Sequence, residues 1–109
     1  LEKLSAGGQM ALTEQIDNYP GFEDGIDGFT LGEKMQQSAE RFGAVTELAE
    51  VYKASLSGKI KTLDTSEGVF QGRTVVIATG ASPRPLGGPG EESLVGKGVH
   101  DCAACDGAP

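Results

Sequence analysis

Residues 74–85 read TVVIATGASPRP, and the reading of this stretch decides the fold. Thr74 to Ala78 form a continuous apolar, β-branched run. Such a run suits a central parallel strand covered on both faces, because no side chain alternates outward to water. The chain cannot continue as a strand beyond it. Pro83, Pro85 and Pro89 remove backbone donors, and Gly87, Gly88 and Gly90 add freedom around them. The expected course is strand, tight bend at Gly80, then an extended crossing between two units. A domain boundary is expected near residues 82–86, dividing 1–84 from a crossing segment and second domain at 85–109.

Working upstream, GKIKTLD (58–64), TSEG (65–68) and VFQG (69–72) read as strand, turn and strand. VTELAEVYKASL (45–56) is ambiguous in period, although Val45, Tyr52 and the branched residues favour a strand. Residues 30–42 form the clearest helix. Thr30 and Glu33 have capping-box spacing, Leu31, Met35, Ala39 and Phe42 share one face, and Gly43 supplies a left-handed stop. This helix is expected to pack on a sheet. Residues 5–29 read as an irregular loop, with Pro20, Gly21, Gly25 and Gly28 among Glu23, Asp24 and Asp27. The acids there lack the D-x-D-x-D-G spacing of a calcium loop, so turn chemistry accounts for them.

The chain has 109 residues, room for about one small core, and 17 are glycine. The glycines fall in separate turns without a period, which indicates a loop-rich α/β chain. A net charge of −7 argues against nucleic acid or an anionic membrane surface as partner. No apolar run is long enough to span a membrane, and the first ten residues carry no signal-peptide pattern. The expected location is cytoplasmic, where cysteines more often serve catalysis or metal binding than a structural staple.

Both cysteines lie in HDCAACDG, residues 100–107. Two intervening residues bring the sulfurs of Cys102 and Cys105 within disulfide reach. At a helix start, backbone N–H groups and the positive dipole end stabilise a thiolate. Asp106 follows directly, where a carboxyl can exchange protons with the thiols. A structural zinc site remains a competing reading, but it wants four ligands and the chain has one Cys pair and one histidine, His100. A c-type haem would need His where Asp106 stands. A thioredoxin fold would place the motif after a first strand, so another unit must reduce this pair.

GGQ at 7–9, DNYPGF at 17–22, VVIATGASPRPL at 75–86, GEE at 90–92 and GVHDCAACDG at 98–107 together resemble the low-molecular-weight thioredoxin reductase family. The flavoprotein subunit of alkyl hydroperoxide reductase has a similar motif and is the alternative relative. The resemblance covers essentially the whole chain. It implies a partial FAD/NAD(P)-binding Rossmann-like domain, with a parallel sheet and a β-hairpin layer. It implies electron flow from NADPH to FAD, to the CxxC disulfide, and on to thioredoxin or a similar disulfide protein. On this resemblance Cys105 is the flavin-side sulfur, Cys102 attacks the partner disulfide and Asp106 handles the proton. Gly8, Gln9, Asn18, Ala78, Thr79 and Gly80 become FAD-binding candidates. Glu2 matches an acid near the adenosine ribose, and Val51 a backbone contact to adenine. The intact enzyme would be a homodimer.

One element is missing from the pattern. A dinucleotide site needs G-x-G-x-x-G between a strand and a helix, and the chain contains none. The expectation is a fragment without the N-terminal βα unit, inactive alone and holding FAD weakly or not at all. Uncovered TVVIA surface would then favour self-association, by strand exchange for example.

Overall fold

The computed structural model describes residues 1–100 and Cys102. A 3-10 turn at Gly8–Leu12 precedes helix α1 (Gly28–Arg41). Strands β1 (Val51–Ser55), β2 (Lys61–Thr65) and β3 (Gly68–Gly72) follow, and a short helix α2 (Glu91–Leu94) closes the order.

The strands form an antiparallel meander in the order β1-β2-β3. Thr65 pairs with Gly68, leaving Ser66 and Glu67 as the two-residue tip. The Thr65 hydroxyl ties this tip, accepting from the Glu67 N–H at 3.1 Å and donating to the Gly68 carbonyl at 2.8 Å. Gly68 sits at φ 102°, which a side chain would resist. The β1–β2 register slips between Val51 and Lys53, so Tyr52 is the extra residue of a bulge.

Helix α1 begins two residues earlier than its Thr30–Glu33 pattern suggests. Asp27 is the N-cap, and its Oδ1 accepts from the Thr30 N–H at 2.9 Å. Asp27 prevails over Thr30 because a carboxylate caps more strongly and its charge complements the helix dipole. The C-terminus closes as expected at Gly43, φ 91°. Gly43 N–H reaches the Glu40 carbonyl at 2.9 Å, and Ala44 N–H reaches the Ala39 carbonyl at 3.2 Å. These are the two bonds of a Schellman motif.

The cap gives a testable pH dependence. Accepting the Thr30 N–H holds the Asp27 carboxyl below its ordinary pKa. Its contribution is therefore complete above the ordinary aspartate range and lost as pH falls through the lowered value. Wild-type helix signal by circular dichroism should show an acid limb that Asp27→Asn, which caps without titrating, lacks. The same limb in both proteins would refute this role.

Two sequence expectations are corrected. Helix α1 packs on the 3-10 turn, not on the sheet, and no contact joins it to the meander. Only the start of its apolar face is covered: Leu31 is 2% exposed, whereas Phe42 is 85% exposed. The TVVIA run has no strand partner among the described residues, and Val76 is 89% exposed. A two-sided strand exists only when neighbours satisfy its backbone, and the meander is complete without it. The parallel pairing of Glu2 with Leu48 is a single bridge. The radius of gyration, 17.8 Å, exceeds the roughly 13 Å of a compact domain this long, as so little core requires.

Candidate functional site

The turn that carries Gly8 and Gln9 is built on glycine. Gly7 (φ 105°) and Gly8 (φ 53°) are both left-handed, and the Met10 N–H bonds the Gly7 carbonyl at 3.1 Å. The turn lies against the first turns of α1, on Gly28 and Gly32. A Cβ at Gly28 would stand 1.7 Å from the Met10 carbonyl oxygen, and one at Gly32 would stand 2.9 Å from Gly7 Cα. The Gly28 N–H also bonds the Thr13 carbonyl at 2.8 Å. The two glycines are four residues apart, hence on one helix face, and form a notch that receives the 6–13 backbone.

The notch aims Gln9 outward. Its Nε2 donates to the Ala81 carbonyl at 2.9 Å, a contact between residues 72 apart in the chain. This bond joins the GGQ turn to the bend at Ala78, Thr79 and Gly80. All three bend residues are exposed, and Gly80 is left-handed at φ 70°. Among the described residues neither Gly8 nor Gly80 has an atom within 4 Å of where a Cβ would stand. Two turns tied together thus present bare backbone, which a planar ring can approach closely.

A second group of candidates meets at the other edge. Glu2 N–H bonds the Glu47 carbonyl at 3.0 Å, and Ala49 N–H bonds the Glu2 carbonyl at 2.9 Å. Lys3 Nζ pairs with Glu50 Oε1 at 2.6 Å, next to Val51 at the start of β1. Accepting that bond, Glu50 raises the Lys3 pKa. Glu2 and Val51 are thereby brought to one region. The Glu2 carboxylate is turned back, accepting from the Lys3 N–H at 2.9 Å. A cleft of about 270 Å³ is lined by Glu2, Leu4, Ser5, Phe29, Glu33 and Leu48.

Asn18 is not joined to either group. It is exposed in the loop closed by the Ile16–Ile26 bridge, and its side chain makes no hydrogen bond among the described residues. The loop is held instead by Gln15, whose Nε2 donates to Asp17 Oδ1 at 2.9 Å and to the Asp24 carbonyl at 3.3 Å. Cys102 is half-buried and disulfide-bonded. Cys105 and Asp106 lie outside the described residues.

Sequence pattern does not single out Gly28, Gly32 or Ala81. For the glycines a signal exists in GFTLG, residues 28–32, as small residues at i and i+4. For Ala81 no local signal exists, because its role is carried by a backbone carbonyl.

The same layout recurs in known proteins. The chain is 45% identical over 108 residues to a bifunctional thioredoxin reductase/thioredoxin of Mycobacterium leprae, covering 98% of this chain and 24% of that protein. It is 44% identical to the thioredoxin reductase of Mycolicibacterium smegmatis, covering 97% of this chain and 34% of that one. The crystal structure of thioredoxin reductase from Streptococcus pyogenes superposes with a TM-score of 0.77 at 42% identity, over 99% of this chain and 35% of that one. The chain thus spans about a third or less of the length of these relatives, and the α/β reading of a partial FAD-binding domain is borne out by the superposition. Residues 1–108 match the pyridine nucleotide-disulphide oxidoreductase family, and the chain belongs to that family.

Proposed function

We propose that this chain is the flavin-facing and disulfide-bearing part of a thioredoxin reductase. The observation that carries the reading is the Gln9–Ala81 hydrogen bond. It ties the GGQ turn to the ATGA bend, with a disulfide-bonded Cys102 further along the same strand of chain.

The bare backbone at Gly8 and Gly80, with Gln9 and Thr79 beside it, fits the isoalloxazine end of FAD. Glu2 and Val51 would face the adenosine end. When bound, FAD relays two electrons from NADPH to the disulfide. The chain's own residues do the rest. Two electrons and two protons convert the Cys102–Cys105 disulfide into two thiols, with Asp106 as the proton donor and acceptor. The Cys102 thiolate attacks one sulfur of the thioredoxin disulfide, expelling the other as a thiol. Cys105 then attacks Cys102 Sγ, which restores the disulfide and releases reduced thioredoxin. Ala103 and Ala104 are small enough to let the partner approach.

Residues 1–84 serve the flavin domain and 85–109 lead into the NADPH domain of a cytoplasmic homodimer. Among the described residues no helix is long and apolar enough to cross a membrane. The test uses the full-length polypeptide that contains this chain. It should purify with flavin absorbance and sustain NADPH oxidation when oxidised thioredoxin is supplied as the electron acceptor. A full-length protein without flavin, or with no thioredoxin-dependent NADPH oxidation, would overturn the proposal.

A further inference from the structure

Between the Gly80 bend and Cys102 the chain must cross a stretch rich in proline and glycine. Left to itself, LGGPG (86–90) is among the most flexible sequences a chain can contain. In the structure it is closed by one side chain. Glu91 Oε1 accepts from the Leu86 N–H at 2.8 Å, and Oε2 accepts from the Gly87 N–H at 2.6 Å and the Gly88 N–H at 3.2 Å. Three consecutive amides therefore converge on one carboxylate. The loop's next link repeats the closure: Ser93 Oγ donates to the Gly90 carbonyl at 2.8 Å. Beyond α2, Lys97 N–H and Val99 N–H both reach the Leu94 carbonyl, at 2.8 and 3.0 Å, and Gly96 N–H reaches the Val99 carbonyl at 3.0 Å. Residues 86–99 are thus a self-tied knot, and its largest closure is the Glu91 clamp.

We infer that Glu91 is the positioning residue of the redox disulfide: by gathering the amides of 86–88 it shortens the crossing segment and fixes where Cys102 is presented relative to the Ala78–Gly80 bend. This rests on the reductase reading above. The Glu91 carboxylate bonds backbone amides, and it lines a cavity of about 540 Å³ formed within the crossing segment by residues such as Pro83, Pro85 and Val95. Without the clamp the disulfide is still present but is held by a longer, looser tether. The transfer that needs close approach then slows, while chemistry confined to the flavin does not.

The three amides hold the Glu91 carboxyl below its ordinary pKa, the Leu86 N–H most of all, with partial desolvation opposing. Among the described residues no cation pairs with Glu91, and Glu92 lines the same cavity. The clamp is therefore set above the ordinary glutamate range and opens as pH falls through the lowered value.

The experiment compares wild type, Glu91→Gln and Glu91→Ala in the full-length protein. Hydrogen exchange of the 86–88 amides is read first, across pH. Wild-type amides should be protected near neutrality and lose protection in acid, whereas Glu91→Ala amides should be unprotected throughout. Reduction of ferricyanide by NADPH, which bypasses the disulfide, is then set against reduction of thioredoxin. Ferricyanide turnover should stay within about twofold of wild type, while thioredoxin turnover falls about tenfold in Glu91→Ala and less in Glu91→Gln, which keeps one acceptor oxygen. Equal protection of the amides in all three proteins, or equal thioredoxin turnover, would overturn the positioning role and leave the reductase reading standing. Wild type lacking flavin or thioredoxin-dependent turnover would sink the reductase reading instead, and with it this inference.

Discussion

Replacing Gly28 by alanine should cost the protein about 3 kcal/mol of stability, at the upper end of overpacking penalties. The added Cβ would lie 1.7 Å from the Met10 carbonyl oxygen, a main-chain atom that cannot rotate aside. Relief requires the 3-10 turn to lift off α1, breaking the Gly28 N–H bond to Thr13 and uncovering Leu31, the most deeply buried side chain described. Alanine's better helix propensity returns at most about 1 kcal/mol, less at a first helical position. Gly8→Ala is the control. Unlike Gly28 it must adopt a left-handed backbone, but its Cβ meets nothing within 4 Å among the described residues, so its cost should be about 1–2 kcal/mol. Urea unfolding of both variants decides the matter. A Gly28→Ala midpoint matching that of wild type would show that the notch is not tight.

The largest effect on activity is expected at Cys102. With Cys102→Ser the disulfide cannot form, and the group proposed to attack thioredoxin is replaced by a hydroxyl that is not ionised at neutral pH. Thioredoxin-dependent turnover of the full-length enzyme should fall by at least about a thousandfold, as when other activated nucleophiles are removed. Flavin content and ferricyanide reduction should persist, because neither passes through the sulfur. Steady-state assays with both acceptors check this. Thioredoxin turnover within tenfold of wild type would mean that Cys102 is not the attacking sulfur.

What the sequence made legible follows the range of the interactions involved. The two-residue hairpin tip at Ser66 and Glu67 and the Gly43 stop of α1 depend on neighbours within a few positions, and both were readable. The helix start was misplaced because Asp27 and Thr30 each satisfy a capping pattern, and only the electrostatics of the first turn separates them. The TVVIA run was read correctly as apolar and β-branched. Its strand character, however, belongs to a pairing that the described residues do not supply. In the site, the family resemblance pointed to Gln9 and to the Ala78–Gly80 bend, but not to their joining. The donor and acceptor are 72 residues apart, and the acceptor is a carbonyl common to every residue type. Glu91 stood in a family-like GEE, yet its carboxylate folds backward onto glycine amides, and no spacing rule in the sequence announces that.

The meander touches neither helix. The chain accordingly has two seats of cooperativity, one in the antiparallel strands and one where the glycine-notched helix clasps its turn. Damage to either need not travel to the other, and amides in the two regions should report separate opening free energies. A change that loosens the Gly8–Leu12 turn can leave the strands intact, so a normal β-sheet signal is no proof that the region around Gln9 is in order.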